Sequence, residues 1–225
     1  MIAKSKGVVL GYLKYGETSI IARILTEQFG YQSFIVSGIR SQKSKKSIGA
    51  FQPFYVLDLV VYMKESRDLQ RVSEFKTHIA LHSLHTDMTK SSIALFLSEV
   101  FSKLMRQEPS SNTQLYGFVE DSVASFEELK TGVGNFHIQF LLKLAAYLGY
   151  EIERADSLFS SIDRLAPSSD GYALLEAMIL EPYGTQFELN KQMRHQIIDS
   201  ILHFYQHHAG ISWPKSLQVL KSVLS

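Results

Sequence analysis

The chain contains no cysteine. That absence excludes disulfides, thiolate nucleophiles and every zinc site that needs a sulfur ligand, and it fits a reducing compartment. Any bound metal would have to rest on His, Asp or Glu. No stretch approaches the roughly 18 uninterrupted apolar residues of a membrane-spanning helix. The opening Met1-Ile2-Ala3-Lys4-Ser5-Lys6 leads directly into patterned sequence and lacks a signal-peptide core, so a cytoplasmic protein without a membrane partner is expected. Two enzyme signatures are missing as well. Neither the phosphate-cradling G-x-x-x-x-G-K-[ST] pattern nor the G-x-S-x-G nucleophile turn occurs.

What is present is ordinary for a folded protein. Of 225 residues, 45% are apolar and 20% charged, which excludes a mostly disordered chain and leaves room for one large or two small domains. The net charge is only +1, but it is divided unevenly. Residues 1–80 carry 12 Lys and Arg against 6 Asp and Glu, whereas residues 81–225 carry 11 against 16. A basic N-terminal unit on a mildly acidic body points to a polyanionic partner for the former.

From Ser5 to Lys76 short runs of Val, Ile, Tyr, Phe and Thr alternate with Gly or polar clusters. This punctuation predicts strands near Gly7–Lys14, Ser19–Glu27, Tyr31–Gly38, Phe54–Lys64 and Leu69–Phe75, with turns at Gly16-Glu17 and Phe29-Gly30. Five strands in so short a segment most simply close into a barrel, which removes exposed edges; an oligonucleotide-binding (OB-fold) barrel is expected and an SH3-like barrel is the alternative.

After Thr77 the apolar period lengthens to three and four residues, predicting helices over Thr89–Gln107, Thr113–Leu129, Phe136–Leu148 (stopped by Gly149), Tyr172–Leu180, Leu189–His208 and Pro214–Leu224. Pro214 would then occupy the first turn of the last helix. The expected class is α+β: an OB-fold nucleic-acid-binding domain over residues 1–78 and an all-helical domain over residues 79–225.

Between the third and fourth strands, Arg40-Ser41-Gln42-Lys43-Ser44-Lys45-Lys46-Ser47 carries four positive charges, no acid and no apolar side chain. Hydroxyls alternating with cations suit phosphate oxygens, and Lys4, Lys6, Lys14 and Arg23 extend the basic surroundings. Of the interleaved aromatics, Tyr12, Tyr15 and Tyr31 are candidates to stack on unpaired bases, the remainder being expected in the core.

Other constellations carry less. His78, His82 and His85 have the i, i+4, i+7 spacing of one helix face, as do His203, His207 and His208 in part, but neither set has the metalloprotease Glu or an identifiable distant ligand. Gly132-Val133-Gly134 follows a helix and lacks the third glycine of a dinucleotide fingerprint. Glu127-Glu128, Glu151 and Glu153 lie in polar segments where carboxylate pairs rarely do acid–base chemistry. No active site emerges, and no enzyme is expected.

Several segments taken together resemble the RecO family of recombination mediators: Gly7-Val8-Val9-Leu10, Tyr15-Gly16-Glu17-Thr18, Leu25-Thr26-Glu27 with Gly30, Ser37-Gly38-Ile39-Arg40 with its Lys and Ser tail, and Phe51-Gln52-Pro53-Phe54. Phe136-His137-Ile138-Gln139-Phe140-Leu141-Leu142, Leu148-Gly149-Tyr150 and the stretch from Phe204-Tyr205 to Ser216-Leu217 continue the likeness. The resemblance implies a DNA repair protein, cytoplasmic and nucleoid-associated, that binds single- and double-stranded DNA and anneals complementary strands without catalytic turnover or cofactor. It implies RecR and the C-terminal tail of the single-strand binding protein (SSB) as partners in placing recombinase on coated strands. Arg40, Lys43, Lys45 and Lys46 match the family's basic loop and would contact DNA; Lys14 and Arg23 join them from charge alone.

Two departures stand out. Many family members carry a four-cysteine zinc site after the Leu-Gly-Tyr segment; the stretch Glu151–Asp170 has no cysteine here, so that site is absent. Basic residues that often precede the helix beginning at Phe136 are replaced by Gly134 and Asn135, leaving Lys143 as a nearby cation. The competing function is a protein-interaction adaptor with little direct DNA binding, and a His-ligated metalloenzyme on His78, His82 and His85 is a third.

Overall fold

The computed structural model describes residues 1–42, 47–64, 66–107, 110–150 and 169–224. Five strands, β1 (Ile2–Tyr15), β2 (Ser19–Thr26), β3 (Gly30–Val36), β4 (Val56–Tyr62) and β5 (Leu69–Thr77), close into a barrel in the order β1-β2-β3-β5-β4. All pairings are antiparallel except β3 with β5. Alternation builds it: Ile20, Ala22 and Ile24 of β2 point inward and are fully buried, while Ile21 and Arg23 between them point out. The inward set packs with Val9, Phe34, Phe51, Leu57, Leu59 and Val61.

Gly7 is needed where this interior is tightest, because a β-carbon there would lie 2.5 Å from Ile24 Cγ2. Further along β1 the register slips between Val9 and Gly11, and Gly11 takes φ 125°, a conformation side chains disfavour. This bulge re-aims the outer half of β1.

The helices are α1 (Ser83–Thr86), α2 (Met88–Met105), α3 (Thr113–Glu128), α4 (Phe136–Tyr147), α5 (Ser169–Leu180), α6 (Lys191–Ala209) and α7 (Leu217–Val223). The chain divides into two compact units. One is Met1–His82 with Ser98–Val123, and the other is Ser83–Leu97 with Ala124–Ser225. In the second unit α4 is central, with Phe136, Ile138, Phe140 and Leu141 fully buried and Phe136 stacked on Phe126 at 3.9 Å. Asn190 caps α6 by accepting from Met193 N at 2.8 Å, and Gly210 closes it with φ 60°. Gly149, at φ 77°, ends α4 as expected.

Two local expectations are corrected. Pro214 lies before α7, where its carbonyl accepts from Leu217 N at 3.4 Å, so the helix begins three residues later than the proline suggests. His78, His82 and His85 do not share a helix. The β5 ladder runs on to His78, whose N–H donates to Val56 O at 2.8 Å, and helix α1 spans only Ser83–Thr86.

Candidate nucleic-acid interface

The barrel presents two charged surfaces of opposite character. On the β1–β4–β5 side, strand register sets Lys6, Asp58 and Lys76 in one row and Lys4, Val60 and Glu74 in the next. Lys6 and Lys76 meet acids. Lys76 Nζ lies 3.3 Å from Asp58, Lys6 Nζ donates to Glu120 Oε1 at 3.3 Å, and His78 stands between the two carboxylates, 3.0 Å from Asp58 and 3.5 Å from Glu120. Desolvation pushes the Asp58 carboxyl up, but hydrogen bonds and charge from Lys76 and His78 outweigh it and hold the group below the usual carboxylate range. A groove of about 590 Å³ runs along this side, lined by Lys4, Lys6 and Lys76 but also by Glu27, Asp58 and Glu74. Its balanced charge makes it a poor seat for a polyanion.

The β1–β2–β3–β5 side differs. Arg23 projects outward between the buried Ala22 and Ile24, in register with Ser33, which is in register with Leu69. Two positions on, Arg71 projects outward between the buried Gln70 and Val72. Lys14 is exposed near the end of β1, but its pairing with the inward Ile20 sets it on the opposite face of the β1–β2 hairpin from Arg23. Among the described residues none of Lys14, Arg23 and Arg71 forms an ion pair. Arg40 stands beside the β1–β2 turn and braces it: its N–H donates to Thr18 O at 2.9 Å, and its Nη1 to Gly16 O at 3.1 Å. That uses one of five guanidinium N–H donors.

The β4–β5 connection adds cations. Buried Gln70 accepts from Lys64 N at 2.7 Å, donates back to Lys64 O at 3.0 Å and also donates to Arg67 O, so one carboxamide holds the segment that carries Lys64 and Arg67. Oligonucleotide-binding barrels use the strand 2–3 face and the loops joining strands 1–2 and 4–5. Arg23 shares an outer face with Arg71, which sequence reasoning missed along with Lys64 and Arg67, while Arg40 stands at the β1–β2 turn and Lys14 lies on the other face of the β1–β2 hairpin. Strict alternation in β5 marks Arg71 as outward; only the parallel β3–β5 pairing, made between strands distant in sequence, sets it beside Ile35. Lys43, Lys45 and Lys46 lie outside the described residues.

Of the stacking candidates, Tyr12 and Tyr15 are exposed, but Tyr31 is buried with the core and cannot present its ring. Lys143 is committed elsewhere: its Nζ donates to Ile179 O at 2.7 Å and Glu181 O at 2.8 Å at the end of α5, and burial lowers its pKa despite the charge of Glu181. Among the described residues no three His, Asp or Glu lie close enough to hold a metal, and no helix is long and apolar enough to cross a membrane.

Comparison with known proteins identifies the family. A family model described as "Recombination protein O N terminal" matches residues 1–79, and one described as "Recombination protein O C terminal" matches residues 85–161. The chain is 30% identical over 242 residues to a protein named DNA repair protein RecO from Azobacteroides pseudotrichonymphae genomovar. CFP2, covering 99% of both. It is 28% identical over 240 residues to a protein of the same name from Flavobacterium psychrophilum, covering both completely, and 35% identical over 149 residues to that of Phocaeicola vulgatus, covering 66% of this chain and 61% of the relative.

Proposed function

The chain belongs to the recombination protein O (RecO) family, and we propose that it is a DNA repair and recombination protein whose barrel neutralises phosphate backbones and so helps complementary strands to anneal. The observation that carries this reading is the contrast between the two barrel surfaces: Lys6 and Lys76 of one are paired with carboxylates, whereas Arg23 and Arg71 on the other are not. Two strands repel each other through their phosphates. Cations that replace condensed counterions on both lower that repulsion, and release of those counterions supplies the binding free energy.

In this account Arg40, Lys43, Lys45 and Lys46 with Lys14 and Arg23 form the DNA-binding set, extended by Arg71, Lys64 and Arg67. Both single- and double-stranded DNA are ligands, since phosphate contacts carry no sequence information. The helical domain would recruit RecR and the acidic, apolar tail of SSB, and with them place recombinase on coated single strands. No covalent chemistry is assigned to any residue.

An annealing assay with complementary strands coated with SSB tests this directly. Joint reversal of Lys43, Lys45 and Lys46 to Glu, and separately Arg23→Glu with Arg71→Glu, should each slow annealing strongly. Annealing at the wild-type rate in both variants would overturn the reading in favour of an adaptor that acts through its protein partners.

A further inference from the structure

On the β1–β4–β5 surface five side chains form one chain of contacts. Lys76 Nζ lies 3.3 Å from Asp58 Oδ2, and Asp58 Oδ1 lies 3.0 Å from His78 Nδ1. His78 Nε2 lies 3.5 Å from Glu120 Oε1, and Lys6 Nζ reaches that same oxygen at 3.3 Å. Each lysine is thus matched by one carboxylate, and the imidazole is shared between the two. Strand register places three of the five, since Lys6 pairs with Asp58 and Asp58 with Lys76. Glu120 comes from α3, and the His78 backbone is fixed by its N–H, which donates to Val56 O at 2.8 Å.

The lysines are not hidden. The Lys76 side chain is 79% exposed and that of Lys6 36%, and both line the groove on this side. A ligand can reach them; what they lack is unbalanced charge. Desolvation pushes the Asp58 carboxyl up, yet hydrogen bonds and charge from Lys76 and His78 hold it below the usual carboxylate range, so it is ionised at neutral pH. Stability is a poor reason for the arrangement, because an exposed ion pair contributes little. The spacing of the cations offers a better one. Lys6 and Lys76 flank β4, two strand spacings or about 10 Å apart. Arg23 and Arg71 flank β3 in the same way, offset by two residues along the strands, and among the described residues no carboxylate pairs with either. The barrel therefore carries two similar cation pairs, and the acids distinguish them.

We propose that Asp58 and Glu120 are a charge screen: they deny Lys6 and Lys76 to phosphates and confine nucleic acid to the surface that carries Arg23 and Arg71. Two equally cationic surfaces would hold complementary strands apart on one molecule as readily as together. A repulsive element on one of them leaves a single field in which both strands meet. The proposal rests on the nucleic-acid reading above and adds to it the side from which DNA is excluded and the two side chains that exclude it.

Asp58→Asn combined with Glu120→Gln tests it, because both changes keep the size and a hydrogen-bond acceptor while removing the charge. Fluorescence anisotropy of the full chain is measured with an oligothymidylate of about twelve nucleotides and with a hairpin duplex. The double variant should bind both probes more tightly than wild type, by about tenfold at low salt. Its logarithmic salt slope for the oligothymidylate should be steeper by roughly 1.4, the value for two further phosphates on a single strand. Adding Lys6→Ala and Lys76→Ala should return affinity and slope to those of wild type. Annealing by the double variant should be no faster than by wild type, despite the tighter binding. Glu120→Gln alone should give about half of the change in slope, and it decides the matter if thermal denaturation shows that the double variant does not fold. Unchanged affinity and slope, a gain that survives loss of both lysines, or annealing that rises with affinity would each overturn the screen while leaving the nucleic-acid reading in place. If neither wild type nor variant binds either probe, that reading is overturned and the screen with it.

Discussion

Lys6 Nζ lies 3.3 Å from Glu120 Oε1, a pairing across 114 residues that neutralises a barrel cation with a carboxylate from α3. The same carboxylate reaches His78, and Asp58 links His78 to Lys76. Positive charge in the sequence is therefore not positive charge available to a ligand. Lys6→Ala and Lys76→Ala should leave affinity for single-stranded DNA within about twofold of wild type, whereas Arg23→Ala or Arg71→Ala should each reduce the salt dependence of binding by about one in logarithmic slope. Anisotropy titrations at several salt concentrations distinguish the two groups, and equal effects from both would show that the paired lysines also contact phosphate.

Gln70 is buried in β5 and holds both backbone polar groups of Lys64. Gln70→Leu keeps the volume but orphans those groups, at a cost of about 1–3 kcal/mol in stability. Urea denaturation should show the loss, and DNA affinity should fall with it because Lys64 and Arg67 are no longer positioned. A Gln70→Leu protein of wild-type stability would show that the loop does not depend on this carboxamide.

Lys90 is 3% exposed and donates to Ser83 Oγ and Glu127 O, both at 2.7 Å, with Phe126 beneath at 5.7 Å. Burial lowers its pKa, while the Glu127 carboxylate opposes the shift. That carboxylate also accepts from Ser83 N and Leu84 N at the start of α1. Glu127→Ala leaves a buried cation without its counter-charge and should destabilise the protein by about 3 kcal/mol or more. Combining it with Lys90→Met should recover part of that loss, which denaturation of the single and double variants measures.

The His137 ring is fully enclosed on α4, edge-on to Phe96 at 6.0 Å, and burial, aided by the charge of Arg194, pushes its pKa down to about 3. The unfolded chain takes up this proton near pH 6.5 and the folded chain does not. Stability from this group is thus complete above about pH 6.5 and declines as pH falls towards 3, by at most about 1.4 kcal/mol per unit. His85 and His195 are shifted in the same direction, desolvation being the leading cause in each. Denaturation midpoints at pH 7 and pH 5 should differ less in His137→Leu than in wild type; an unchanged difference would mean that the ring is protonated where it lies.

Period-two alternation, interrupted by glycine, made the five strands legible, and the change of period after Thr77 did the same for the main helices. Long-range partners were not legible. The histidine spacing at 78, 82 and 85 imitates a helix face, yet His78 belongs to the strand ladder because Val56 supplies its hydrogen-bond partner. Tyr31 sits among basic and aromatic residues in sequence, and the alternation of β3 sets it on the outer face with Ser33 and Ile35, yet the fold buries it there. Arg71 becomes a candidate only once β5 lies between β3 and β4, an order that local pattern does not encode. The neutralisation of Lys6 depends on a helix more than a hundred residues away.

The central claim is that the cations on the β1–β2–β3–β5 side bind phosphates by displacing counterions. The affinity of the wild-type chain for oligothymidylate across a salt series measures this most directly. With about four phosphates neutralised, the plot of log affinity against log salt should fall with a slope near −3; affinity that stays flat across the series would contradict the account.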